Sequence, residues 1–568
     1  MKSLQRLSRL NQTKLWLCLW GSSLLAILNC PMAAAAQDLT QSHPGDGLQL
    51  NASLRQKPSS ETGTTLQREG LQQPGSQQTS DSSQDSAAGE KMTFFLARLD
   101  VDPSTILSPT DIRSVASGYE GRLVTLQEIT EAVDKLNDLY CRKPAYIARA
   151  LLLPQTIDKG VVHIVLVESR IGSVRFANTL PQTEQSYVLE RLKVQAGSLV
   201  NLDQLEANLI RFNKTNQTQL SAALRRGESF GTTDILLQAS DAPSASVVLY
   251  SDNGGTETSG EYRLGVDTSW HHLFTREDEL AVNVSHSRGN TGGSVAYELP
   301  VGTDGTRLGV SYSKNQNDVV SGVFQSLQIR GHSSDLALTL NRPLVTTATD
   351  KTTQYFELHE KKADTYLLGD AILAYTARSF TTGWSSQKND SNGLVYHRFD
   401  VTRGYTMDTS DGSADSRTYF TKANLSWVRQ LPLDEQHGWL FRVSGQWNFQ
   451  PSVHLPSTDV FSLGGFSSVR GYKEGELSGD RGYFISTEYH FPLASWEGVL
   501  FLDHGGVFSY DVSSITNSRD CYMTSLGVGV IASFGKNVAA QVFWGKPLGG
   551  GKYAGSGRFH FLLQYRYF

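Results

Sequence analysis

From Ser244 to the C-terminus, apolar residues recur at every second position. Leu280, Val282 and Val284 alternate with Ala281, Asn283 and Ser285; Leu308, Val310 and Tyr312 alternate with Gly309, Ser311 and Ser313. Leu336, Leu338 and Leu340, and later Leu526, Val528 and Val530, repeat the pattern. Period two with one apolar and one small or polar face predicts one-sided β-strands. Turn-forming clusters such as Asp252-Asn253-Gly254-Gly255 and Thr303-Asp304-Gly305 separate them. Roughly seventeen such runs are readable, and a closed antiparallel barrel that begins and ends on one side needs an even number. About 16 strands are therefore expected, with the surplus run in the crowded stretch from Ser321 to Leu344.

Upstream the period changes. Thr125-Leu126-Gln127-Glu128 is a capping box, and Leu126, Ile129, Val133, Leu136 and Tyr140 follow at three- and four-residue steps, predicting an amphipathic helix. Strand-like runs follow at Tyr146 to Leu151 and Val161 to Val167. A second copy begins with a strand over Ile171 to Phe176, a helix near Tyr187 to Leu192, and a helix from Asn201 with Leu202, Leu205, Leu209 and Phe212 on one face. Runs at Leu220 to Leu224 and Ile235 to Leu237 close it. The two copies of β-α-α-β-β set two small α+β domains at 91–169 and 170–243, ahead of a β region at 244–568.

The chain has 568 residues, 39% of them hydrophobic. Only Leu15 to Leu28 is apolar enough for membrane insertion. It follows Lys2, Arg6, Arg9 and Lys14 and precedes Ala33 to Ala36, so residues 1–36 are expected to be a signal peptide. Residues 37–90 are rich in Gln, Ser, Thr and Gly without an apolar period, which predicts a flexible linker. Its one candidate for a plug segment is the patch Leu48 to Leu54. Past the signal, Cys141 and Cys521 fall in different domains, so no disulfide framework is expected. A net charge of -5 and the lack of a basic run give no sign of nucleic-acid binding. No His-Glu-x-x-His or Gly-x-Ser-x-Gly occurs, and Gly549-Gly550-Gly551-Lys552 lacks phosphate-loop spacing. Neither an enzyme activity nor a cofactor is expected.

The distinctive chemistry lies in a glycine-rich interruption of the strands, residues 461–482, which can fold tightly against a wall and contains Val469-Arg470-Gly471-Tyr472. On the next strand, period two places Phe484, Ser486, Glu488 and His490 on one face. On the strand after that, Val499, Phe501 and Asp503 share a face opposite Leu500 and Leu502. Asp503 is thus expected to point inward, toward Arg470. Away from bulk water each charge needs the other, and only an arginine offers a bidentate fork to a carboxylate.

Val469 to Tyr472, the Phe501-x-Asp503 motif and the two upstream modules together resemble the outer-membrane transporters of two-partner secretion, the haemolysin and filamentous-haemagglutinin exporters. The string Tyr146-Ile147-Ala148-Arg149, Lys159-Gly160-Val161-Val162-His163-Ile164 and Val167-Glu168-Ser169 is similar to their POTRA modules, although Lys143-Pro144-Ala145 stands where a Gly is usual. The resemblance implies a transmembrane antiparallel β-barrel of about 16 strands in the bacterial outer membrane, preceded by two periplasmic α+β POTRA-like domains. It also implies that residues 461–482 form a lumenal gating loop whose Arg470 meets Asp503 on the barrel wall, with Phe501 and Glu488 beside it. The implied function is export of a dedicated secreted exoprotein, haemolysin- or adhesin-like. Lipid and the barrel-assembly machinery are further expected partners, the latter because a terminal aromatic such as Phe568 is common in strands that machinery recognises, although Arg566 departs from the usual pattern. Two alternatives remain: a barrel-insertion factor of the same superfamily, and a passive porin or uptake channel, which leaves the modules without a role.

Overall fold

The computed structural model describes residues 66–67, 93–178, 184–240, 243–409, 417–450, 452–508, 521–548 and 555–567. The expected signal peptide over 1–36, the plug candidate Leu48 to Leu54 and the terminal Phe568 lie outside the described residues. The chain forms two compact units, one spanning 60–242 and the other containing 243–568.

In the larger unit sixteen antiparallel strands close on themselves, from Ala245–Asp252 to Arg558–Tyr567. These two strands seal the barrel by pairing Val247 with Tyr567 and Asp252 with Leu562. The crowded stretch Ser321 to Leu344 holds a 3-10 turn, Gln325–Leu327, and a single strand, Arg330–Thr346. That resolves the surplus run. The outward side chains are apolar: Leu338, Leu358, Leu502 and Val528 are exposed there. Inward positions are polar and covered, including Asp400, Asn424, Ser426 and Ser486. A polar lumen inside an apolar outer band is the arrangement that lipid demands, because closure leaves no strand edge unpaired in hydrocarbon. Among the described residues no helix is long and apolar enough to cross a membrane; the strands do so.

The smaller unit holds two α+β modules with separate cores. In the first, helix Leu126–Cys141 starts from a formed capping box. Glu128 N donates to Thr125 Oγ1 at 3.2 Å, and Thr125 N donates to Glu128 Oε2 at 2.8 Å. Ile129, Ala132 and Leu136 bury against strand Val161–Glu168. Leu126 does not join them. It is 62% exposed at the helix start, so the apolar face begins one turn later than the spacing suggests. A helix at Pro109–Ser117, capped by Ser108, lies outside the predicted elements; its stripe of Ile112, Val115 and Ala116 packs on the module's core but has only nine residues over which to repeat.

In the second module, helices Gln185–Leu192 and Leu202–Thr215 cover a sheet made of Arg170–Phe176, Thr232–Ser240 and Gln219–Arg226. Asn201 caps the longer helix by accepting Gln204 N at 3.0 Å. The outer strand of this sheet is not bare. Leu66–Gln67 pairs with it in parallel, Leu66 opposite Ala222. The region expected to be a structureless linker therefore contains a two-residue strand.

Candidate functional site: a lumenal loop fastened to the barrel wall

Between strands Gly438–Asn448 and Arg481–Leu493 the chain runs for some thirty residues without spanning strand, broken only by the small hairpin Phe461–Leu463 with Leu477–Gly479. An exposed loop of this length would show solvated side chains. Here Phe461, Leu463, Val469, Tyr472 and Leu477 bury in one cluster with Phe484, Val507 and Met523 of the wall. Hydrophobic burial of this kind, about 1.5–3 kcal/mol for a Val- or Leu-sized side chain, holds the loop inside the lumen.

Arg470 stands at its tip and is 2% exposed. Its Nε donates to Asp503 Oδ2 at 2.8 Å and its Nη2 to Asp503 Oδ1 at 2.8 Å, a two-pronged contact. The backbone N of Arg470 adds a third bond to Asp503 Oδ2 at 3.1 Å. Nη2 also lies 2.9 Å from Glu488 Oε1 and 3.2 Å from Ser486 Oγ. The guanidinium rests 3.7 Å above the centre of the Phe501 ring and 4.9 Å from that of Phe543. Glu488 is shared with Arg442 at 2.7 Å and His490 at 3.0 Å. Two arginines thus face two carboxylates, and the buried cluster is close to neutral. Burial alone would lower the Arg470 pKa. The carboxylates of Asp503 and Glu488 outweigh that and raise it, so the side chain stays charged.

Phe501 and Asp503 face inward as alternate residues of strand Trp496–Phe508, and Ser486 and Glu488 do so on the preceding strand. Ser486 and Asp503 are direct register partners, so Ser486 Oγ can donate to Asp503 Oδ1 at 2.7 Å. Val469 is fully buried beside Arg470, and Tyr472 Oη donates to Thr524 O at 3.0 Å. At Gly471 the backbone has φ 91 and touches the wall. A Cβ there would lie 2.7 Å from the backbone of Gly545, and its N–H donates to His560 Nε2 at 2.9 Å. Only glycine meets both demands.

The motif gave no hint of Phe543, Gly545, His560 or Arg442. Their only sequence signal is inward phase on their strands. It also missed a second attachment. Asp459, at the start of the loop, is 2.9 Å from Lys422 Nζ and 3.2 Å from Lys361 Nζ. Its carbonyl oxygen accepts from Gln446 Nε2 at 2.9 Å, and the adjoining Ser457 meets Tyr375 Oη at 2.9 Å. A polar cavity of ≈ 590 Å³ lined by Glu357, His359, Arg398, Asp400 and Asp459 remains beside this attachment. Among the described residues no group of His, Cys, Asp and Glu could hold a metal ion.

A closed barrel with a loop fastened inside it, on a chain with POTRA-like modules, defines an outer-membrane transporter. The chain belongs to the haemolysin secretion/activation protein ShlB/FhaC/HecB family, whose model matches residues 231–531; a POTRA domain of ShlB type matches residues 94–169. These are the transporters of two-partner secretion. The chain is similar to the heme/hemopexin transporter protein HuxB of Haemophilus influenzae (strain 86-028NP), at 24% identity over 77% of this chain and 80% of that protein. It is also similar to the outer membrane transporter CdiB of Dickeya dadantii (strain 3937), at 25% identity over 71% of this chain and 73% of that protein. In fold it matches the solved CdiB from Escherichia coli, with TM-score 0.63 and 19% identity over 95% of this chain and 100% of that one.

Proposed function

We propose that this transporter exports one dedicated, large, β-rich exoprotein, taken up unfolded from the periplasm and passed through the barrel after the Arg470 loop leaves its wall contacts. The observation that carries this reading is the loop itself. Beside its apolar cluster, its tip is fastened to the wall by a charge-neutral set of polar contacts, which can be exchanged for water once a translocating chain displaces it. A plug welded only by apolar packing would lack such an exchange. The POTRA-like modules supply the receptor. An extended segment binds a sheet edge through backbone hydrogen bonds, and the edge strand Gln219–Arg226 already accepts Leu66–Gln67 in this manner.

Transport here needs no catalysis. Folding of the exoprotein outside supplies direction without nucleotide. The likeness to a heme/hemopexin transporter makes a heme- or hemopexin-binding exoprotein one candidate cargo. The domain limits proposed are those of the sequence reading: modules at 91–169 and 170–243, barrel at 244–568. The outer apolar band meets lipid, and insertion proceeds through the barrel-assembly machinery. The deciding experiment expresses the protein with candidate exoproteins and measures which appears outside the cell. Export of none, combined with insertion of other barrels failing in its absence, would replace this reading with that of an insertion factor.

A further inference from the structure

On the outside of the barrel, strands Arg307–Asp318, Arg330–Thr346, Asp350–Leu367, Asp370–Asp390, Gly393–Asp408 and Arg417–Pro432 carry a groove of ≈ 540 Å³. Its floor is apolar: Val310, Leu336, Leu338, Leu358 and Phe380 are each 42–52% exposed. Along its upper edge stand Arg378 and Arg403, with Tyr405 and Tyr419. The first barrel strand begins where the chain leaves the modules. Counting alternately from it, these arginines lie toward the extracellular end of the apolar band.

The charges at that rim are lopsided. Lys314, Lys362, Arg378, Arg403 and Arg417 all occupy outward phase near the groove and are exposed. The nearest anion on these faces is Glu360, which pairs with Arg378 at 2.7 Å and Lys362 at 3.3 Å; Asp364 follows further out. Among the described residues no carboxylate pairs with Arg403 or Arg417, and Arg403 Nη1 donates to Thr421 Oγ1 at 2.6 Å. Both arginines lie over tyrosine rings instead, Arg403 5.6 Å from Tyr419 and Arg417 5.1 Å from Tyr405. Tyrosine orients a guanidinium without neutralising it. Elsewhere at this end the outward cations stand singly, Arg481 over the Trp447 ring and Lys546 exposed, beside aromatic positions such as Tyr483 and Tyr522, which both pack on His504. What sets this sector apart is the clustering of its cations at the edge of an apolar groove.

We infer that this sector binds a phosphorylated, multiply acylated lipid of the outer leaflet, its acyl chains in the groove and its phosphate on Arg378 and Arg403. Charge complementarity selects a phosphate, since arginine matches its oxygens in a planar fork. The apolar floor selects a lipid over a free anion. Cations at the interface, where their burial costs little, strengthen attraction to anionic headgroups.

The test titrates the purified full-length protein with bisphosphorylated hexa-acyl lipid A, its dephosphorylated form and inorganic phosphate, reading bound states by native mass spectrometry. Bisphosphorylated lipid should bind best, and Arg378→Gln with Arg403→Gln should weaken it about 25-fold, some fivefold for each cation. Heat-modifiable migration checks that the variant is folded. The corresponding lysine pair, which keeps charge but not the fork, should lose far less, and it serves as the second variant if the glutamine pair does not insert. Any of three results would overturn the site: equal binding of dephosphorylated lipid, binding of inorganic phosphate as tight as the lipid's, or a glutamine pair within roughly twofold of wild type.

Discussion

Asp459 sits 2.9 Å from Lys422, so the loop that presents the Arg470 cation at its tip presents an anion at its base. The two attachments use different strands. Asp459 reaches Asp350–Leu367 and Arg417–Pro432 through Lys361 and Lys422, whereas Arg470 reaches Arg481–Leu493 and Trp496–Phe508. They share no partner. Asp459→Asn should loosen the base of the loop and raise pore conductance in planar bilayers. Because the sites are independent, its effect should add to that of Arg470→Ala. A double variant no more conductive than the stronger single one would show instead that the loop moves as one rigid piece.

Arg470→Ala leaves Asp503 and Glu488 facing one another across a covered site. Removing one partner of such a buried pair costs on the order of 3–5 kcal/mol, enough to unseat the loop. Secretion should fall strongly while the barrel still inserts. Asp503→Ala should do the same, and the double variant should be no worse than either single one. The swap Arg470→Asp with Asp503→Arg should recover only part of the function, because Glu488 then stands beside a second anion. Simple summation of the two single defects in secretion and conductance would separate Arg470 from Asp503.

Much of this arrangement was legible in the sequence because strand phase is rigid. Period two fixes which side of the wall Ser486, Glu488, Phe501 and Asp503 face, and the glycines around Arg470 mark a loop that folds tightly. What could not be read is which distant strands meet that loop. Lys422 and Lys361 are ordinary inward lysines until the loop brings Asp459 to them, and Gly545 is one strand glycine among many. Such contacts depend on barrel curvature, which no local pattern encodes. In the smaller unit, helix Pro109–Ser117 did carry a signal, Ser108-Pro109 at its start and Ile112, Val115 and Ala116 at three- and one-residue steps, but nine residues give a helical period little room to repeat.

The close approach of Gly545 and Gly471 gives a steric test. A Cβ on Gly545 would lie 2.6 Å from Gly471 N and 2.7 Å from Arg470 C, and these are backbone atoms that cannot rotate away. Gly545→Ala should therefore push the loop tip off the wall at a cost of about 1–3 kcal/mol, with conductance shifting in the same direction as for Arg470→Ala. Gly555→Ala, whose Cβ would meet nothing within 4 Å, is the matched control. Unchanged conductance in Gly545→Ala would mean that the tip does not rest on this strand in the membrane.

Deleting residues 94–240 should leave a heat-modifiable barrel in the outer membrane and abolish export. The modules bury their own cores, and the barrel closes through its own first and last strands, so neither fold requires the other. Partner secretion at the normal level by the truncated protein would remove the receptor role assigned to the modules.

The first module should also show a defined acid sensitivity. The Glu168 carboxylate ties down the turn before helix Pro109–Ser117: it accepts Thr105 N at 2.9 Å, Ile106 N at 3.2 Å and Tyr140 Oη at 3.1 Å, besides the Ser104 hydroxyl. Partial burial pushes its pKa up, but the hydrogen bonds from Ser104 and Thr105 prevail and hold it below the ordinary 4.5. The folded state therefore prefers the ionised form more strongly than the unfolded chain does. The stabilisation is complete above the unfolded pKa and is lost as pH falls through the lower folded one. Thermal unfolding of the compact unit 60–242 should show its melting temperature dropping as pH is lowered below about 4.5. Glu168→Gln should melt lower at neutral pH and lose much of that acid slope. If the variant keeps the full slope, other carboxylates set it and Glu168 is not the group responsible.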